Sequence, residues 1–99
     1  MLRHILLVKP KTTATDEQLA KAEQAFYVAK DRIDGLLDVE WGQNNSPEGK
    51  NKDFTLCILM TFADEAARDA YLPHPEHDAL KQDFVPIIDD IIVFDYNLP

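Results

Sequence analysis

The sequence predicts an α+β domain of the ferredoxin-like kind, with a four-stranded antiparallel sheet and its helices on one face. Three observations carry that expectation. The apolar pattern switches between a period of two and a period near 3.6 in the order strand, helix, strand, strand, helix pair, strand, which is the order of a split βαβ unit. A chain of 99 residues suffices for one modest core, so residues 1–99 are read as a single domain. The first, third and fourth strands carry apolar side chains on both faces, although helices can cover only one.

Taken in order, Arg3 to Lys9 holds an unbroken run of Ile5, Leu6, Leu7 and Val8 ended by Pro10, which reads as a strand buried on both faces. His4 opens it and shares a face with Leu6 and Val8. Thr15-Asp16-Glu17-Gln18 is a capping box: the Thr15 hydroxyl accepts from an early helix N–H while Gln18 reaches back to the Thr15 backbone. Leu19, Ala22, Phe26, Ala29 and Ile33 then lay one apolar stripe along the helix, and Gly35 supplies the stop. Leu37, Val39 and Trp41 alternate with Asp38 and Glu40, so the second strand has one wet face and belongs at a sheet edge. Residues 43–53 are polar and rich in Asn, Gly and Lys, the composition of an exposed hairpin connection. Phe54 to Phe62 is the third strand, apolar on both faces, and Asp64 caps a short helix whose Ala67, Ala70 and Tyr71 fall on one side. Pro73 ends that helix, and His74-Pro75 begins another whose inner face continues through Leu80, Phe84 and Ile87 or Ile88. Ile91 to Tyr96 is the fourth strand, apolar on both faces except at Asp95.

A second apolar sheet face left in water would exceed the few hundred Å² usual on monomers. Its simplest cover is a second copy packed sheet to sheet, so a homodimer through the sheet face is expected. The formal charge of −8, with ten scattered basic residues, argues against nucleic acid and against an anionic membrane as partners. The apolar run of Met1 to Val8 is shorter than a signal-peptide core and alternates like a strand. With Cys57 as the one cysteine no intrachain disulfide can form, which fits a reducing, cytoplasmic setting. Gly35, Gly42 and Gly49 lie apart and build no phosphate loop, so no nucleotide cofactor is expected.

The chemistry concentrates in Tyr71-Leu72-Pro73-His74-Pro75-Glu76-His77. Pro75 suits the first position of a helix, which makes His74 the N-cap and places His77 in the first turn. There the positive end of the helix dipole opposes protonation of His77, while Glu76 and Asp78 favour it. A neutral His77 can remove a proton α to a carbonyl, and the Tyr71 phenol can donate a hydrogen bond to the enolate oxygen. His4 could orient the substrate or His77, and Asp95 could fix an imidazole tautomer. The bland reading makes His74 a cap, His77 a half-buried residue bonded to a carbonyl, and Tyr71 a core side chain. No metal is expected, because Pro75 separates His74 from His77 and no tetrahedral ligand set is evident. Cys57 reads as a small core residue.

Met1-Leu2-Arg3-His4 with its apolar run, Val39-Glu40-Trp41-Gly42, the His74-Pro75-Glu76-His77 element after Tyr71, and the closing Val93-Phe94-Asp95-Tyr96 resemble the stress-responsive A/B-barrel (Dabb) family over essentially the whole chain. The resemblance implies a homodimer in which two sheets face each other as a barrel with helices outside. It also implies several roles: some members are stable stress-linked oligomers, and a plant polyketide cyclase of the family closes a linear polyketide by aldol condensation without a cofactor. In that comparison His77 corresponds to the proposed base, with Tyr71 and His4 in support. Leu56 stands where the cyclase has a histidine, Phe26 where it has a pocket tyrosine, and Ile88 where it has a pocket aromatic, which implies an apolar but differently shaped pocket for a small apolar ligand. A non-catalytic stress-responsive barrel is the alternative, and a cofactor-independent monooxygenase, by fold analogy alone, the second.

Overall fold

In a computed structural model that describes every residue from Met1 to Pro99, the N-terminal apolar run forms β1 (Leu2–Pro10) and the capping-box segment forms α1 (Asp16–Arg32). The chain continues through β2 (Leu36–Gln43), β3 (Leu56–Phe62), α2 (Glu65–Tyr71) and α3 (Pro75–Phe84), then a single 3₁₀ turn (Val85–Ile87) leads into β4 (Ile88–Asn97). The strands lie in the order β2-β3-β1-β4, and every neighbouring pair is antiparallel. This is the ferredoxin-like α+β sheet that the sequence predicts, with β2 at an edge.

One face of the sheet meets the helices. Leu2, Leu6 and Val8 of β1 and Leu56, Ile58, Met60 and Phe62 of β3 pack there against Ala22, Phe26 and Ala29 of α1 and against Tyr71, Leu80 and Phe84. The period of two in the strands and of 3.6 in the helices thus converge on one core. Both halves of the capping box form, with Gln18 N–H donating to Thr15 Oγ1 at 3.1 Å and Thr15 N–H to Gln18 Oε1 at 2.9 Å. After α1 the backbone turns at Gly35 with φ +84°, and a Cβ there would lie 2.6 Å from the Ala67 side chain, so the turn and the approach of α2 both require glycine.

Four local expectations are corrected. Leu37 points outward, 48% exposed, and Leu36 takes the core position instead. The cause is a bulge: pairing steps from Leu36 opposite Phe62 to Asp38 opposite Thr61, which leaves Leu37 without a partner and reverses the alternation before it. On α2, Ala70 is exposed and Arg68 is half-buried, because Arg68 reaches over to Asp95 of β4. Phe54 and Thr55 precede β3, still part of the hairpin connection, and β4 starts three residues earlier than Ile91.

The other sheet face is open in the single chain. Ile5, Leu7, Cys57, Leu59, Ile92, Phe94 and Tyr96 share it by the strand register, and Phe94 is 61% exposed. No helix is long and apolar enough to cross a membrane.

Candidate functional site

At the start of α3, His74 acts as the N-cap, its Nδ1 accepting from the Glu76 N–H at 3.0 Å, and Pro75 fills the first helical position. That cap occupies His74 Nδ1 and places His77 in the first turn. His77 lies back against the end of α2, with Nδ1 at 2.8 Å from the Leu72 carbonyl oxygen. A carbonyl can only accept, so Nδ1 carries the proton and Nε2 of the neutral ring keeps its lone pair. Burial lowers the pKa of His77 below the ordinary 6.5, against the Leu72 hydrogen bond, which favours the charged ring; Lys81 adds to the lowering and Asp78 opposes it. Desolvation is the largest cause of that shift.

The ring of Tyr71, the last residue of α2, lies 4.3 Å from that of His77 between centroids and 5.2 Å from that of Phe62. Burial pushes the Tyr71 hydroxyl far above its usual value, so it stays a phenol and a donor. Tyr71 lines the adjoining cavity, and its hydroxyl has no hydrogen-bond partner within the chain. His4 sits in β1 opposite Asp95 of β4, and its Nδ1 lies 2.7 Å from Asp95 Oδ1. The second oxygen of Asp95 accepts from Arg68 Nη1 at 3.0 Å. Arg68, Asp95 and His4 thus form a chain of charge-assisted contacts that ends in an imidazole 6.1 Å from the Tyr71 ring.

These groups border a cavity of about 300 Å³ between the β1–β4 half of the sheet and α3. Leu6, Ile88, Ile91 and Val93 form its sheet side, and Phe26, Leu80 and Phe84 its helix side. The space exists because the helices stop short of β4: Val93, on the helix-facing side, remains 57% exposed. Of the residues singled out from the sequence, His77, Tyr71, His4, Phe26 and Ile88 meet at this cavity, and Asp95 stands behind His4. Leu56 does not. It is paired with Val8, four residues along β1 from His4, and lies near Trp41 and Gln43 at the far end of the core. The expectation that it lines the same pocket is corrected. Leu80 and Phe84, read from the sequence as the inner face of this helix, also line the cavity, and Lys81, four residues from His77, joins them without having been singled out from the sequence. Arg68 offered no signal, since its partner is distant in sequence.

A larger cavity of about 480 Å³ lies under the hairpin, lined by Lys50, Asn51, Lys52 and the open-face residues Leu7, Cys57 and Ile92. It holds neither an imidazole nor a carboxylate. Burial, with a smaller contribution from Glu40, raises the Cys57 pKa and keeps it a thiol. No three His, Cys, Asp or Glu side chains are grouped to hold a metal ion.

The model of the stress-responsive A/B barrel domain (Dabb) matches residues 2–98. The chain is 22% identical over 96 residues to olivetolic acid cyclase of Cannabis sativa, covering 97% of this chain and 95% of the cyclase. Among solved structures, a dimeric ferredoxin-like protein of unknown function from a Jannaschia species superposes with a TM-score of 0.86 at 27% identity, covering 98% of each chain. The hydroxynitrile lyase of Passiflora edulis has the same fold, with a TM-score of 0.91 at 20% identity over 99% of this chain and 93% of the lyase.

Proposed function

The chain belongs to the stress-responsive A/B barrel (Dabb) family, and we propose that it takes up a small apolar carbonyl compound and acts on it by proton transfer without a cofactor. The observation that carries this reading is the meeting of an unprotonated imidazole nitrogen and an unpartnered phenol at the edge of one apolar cavity of about 300 Å³. That volume is at the lower end of the range for small-molecule pockets. Nε2 of His77 removes the proton α to the carbonyl, and the Tyr71 hydroxyl donates to the enolate oxygen as charge develops there. In an aldol closure the enolate carbon bonds to a second carbonyl carbon of the same molecule. The new alkoxide takes the proton back from the His77 imidazolium, so the base is regenerated. His4, held by Asp95, fixes the far end of the reacting segment. The likeness to a polyketide cyclase over nearly the whole chain supports the same class of chemistry, and the different pocket residues support a different substrate.

The acting unit in this reading is a homodimer. The open apolar face supports it, as does the dimeric Jannaschia relative.

His77→Ala tests the assignment with a panel of diketones and polyketide-like esters. The expected result is loss of turnover with the fold retained, and Tyr71→Phe should lower turnover by about two orders of magnitude. Undiminished turnover in His77→Ala would remove His77 as base. A non-catalytic role as a stable barrel is favoured by one observation, the use of His77 Nδ1 to tie α3 to the end of α2. Under that reading His77→Ala lowers the melting temperature strongly and no carbonyl compound raises it.

A further inference from the structure

Of the side chains that line the cavity, Lys81 alone carries a permanent charge. It stands on α3 one turn beyond His77, so the base and the ammonium share a helix face. Its only ionic partner in the chain is Asp78, at 3.4 Å, with side-chain exposures of 44% and 65%. An exposed pair of this kind holds its members weakly, so the ammonium is free to turn to an anion at the cavity mouth. Everything else about the cavity disfavours an anion, since the remaining lining is almost wholly apolar and the chain carries a formal charge of −8.

We propose that Lys81 anchors a carboxylate at the mouth of the cavity, so that its ligand is an amphiphilic oxo acid. The apolar chain then lies against Leu6, Phe26 and Val93, and the keto group lies near Tyr71 and His77. The proposal rests on the reading of this cavity as a ligand site. A carboxylate matches the site better than a phosphate. One lysine offers a single compact charge, no arginine lines the cavity, and the α3 N-terminus is already capped by His74. Lys81 also opposes protonation of His77, an opposition that a bound carboxylate paired with it would weaken.

The test is an NMR titration of isotope-labelled protein at pH 7 with octanoate and with the neutral ketone 2-nonanone, in wild type, Lys81→Met and Lys81→Arg. Signals of Leu80, Val93 and the His77 ring report the cavity, and those of Ile92 and Phe94 report the open sheet face. Lys81→Met should weaken octanoate about three- to tenfold and leave the ketone unchanged, with Lys81→Arg near wild type. If Lys81→Met alters both ligands equally, or if only the ketone reaches the cavity, the carboxylate anchor is overturned while the ligand site stands. Octanoate shifts confined to Ile92 and Phe94 also overturn the anchor. If neither ligand moves the cavity signals, the ligand site falls and the anchor with it.

Discussion

The Nδ1–H of His77 donates to the Leu72 carbonyl oxygen at 2.8 Å, and this one bond decides which nitrogen of the ring faces chemistry. It also fixes how α3 leaves α2. Both consequences follow from three residues, Pro73, His74 and Pro75, that end one helix and start the next within a single turn.

Burial lowers the His77 pKa below 6.5, so its titration by ring NMR should have a midpoint below that value. Above 6.5 the ring is neutral both folded and unfolded, and the full stability is present. As pH falls below 6.5 the unfolded chain takes up the proton first, and stability is lost until the folded ring also titrates. The melting temperature should therefore drop between about pH 7 and pH 5, less in His77→Gln than in wild type. A midpoint at or above 6.5 would sink the neutral-base assignment.

Asp95 accepts from both His4 and Arg68, and truncation leaves a 5%-exposed imidazole without its partner. Asp95→Ala should destabilise the fold by about 1–3 kcal/mol in urea denaturation. Arg68→Ala should cost less, because His4 keeps its carboxylate. Equal losses would mean that the Arg68 contact is the important one.

Gly35→Ala meets two obstacles at once, a φ of +84° and a Cβ 2.6 Å from that of Ala67. The combined destabilisation should reach about 2 kcal/mol or more. Adding Ala67→Gly removes the clash and leaves the backbone strain, so the double variant should recover only part of the loss. Full recovery would show that the strain contributes nothing.

What could be read from the sequence follows from how local each signal is. The capping box, the α1 stripe and the His74-Pro75 start depend on residues within one turn of each other, and each formed where the pattern placed it. The bulge at Leu37 depends on pairing with β3, and the hydrophobic alternation on β2 alone reads equally well one residue out of step. At the site, Tyr71 and His77 are six residues apart and their convergence was legible. Leu56 was misplaced because facing the core does not say which end of the core, a matter of register with Val8. Arg68 reaches Asp95 across 27 residues, a contact that no local pattern encodes.

The open sheet face gives the last prediction. Ile92, Phe94 and Tyr96 on β4 are 43%, 61% and 43% exposed and share that face with Leu7. Each full burial of such a side chain stabilises by about 1.5–3 kcal/mol, so a second copy seated here should hold strongly. Phe94 sits beside Ile5 and contributes nothing to the helix-side core, so Phe94→Glu changes the interface and spares the fold of the single chain. Because the pairing is twofold, one substitution places two carboxylates in it. Sedimentation equilibrium should find wild type as a dimer and Phe94→Glu as a monomer with the same far-ultraviolet circular dichroism. The monomer should melt lower and lose any dependence of melting temperature on protein concentration. A wild-type monomer at high concentration would refute the sheet-to-sheet dimer and leave the exposed row on β4 without its proposed cover.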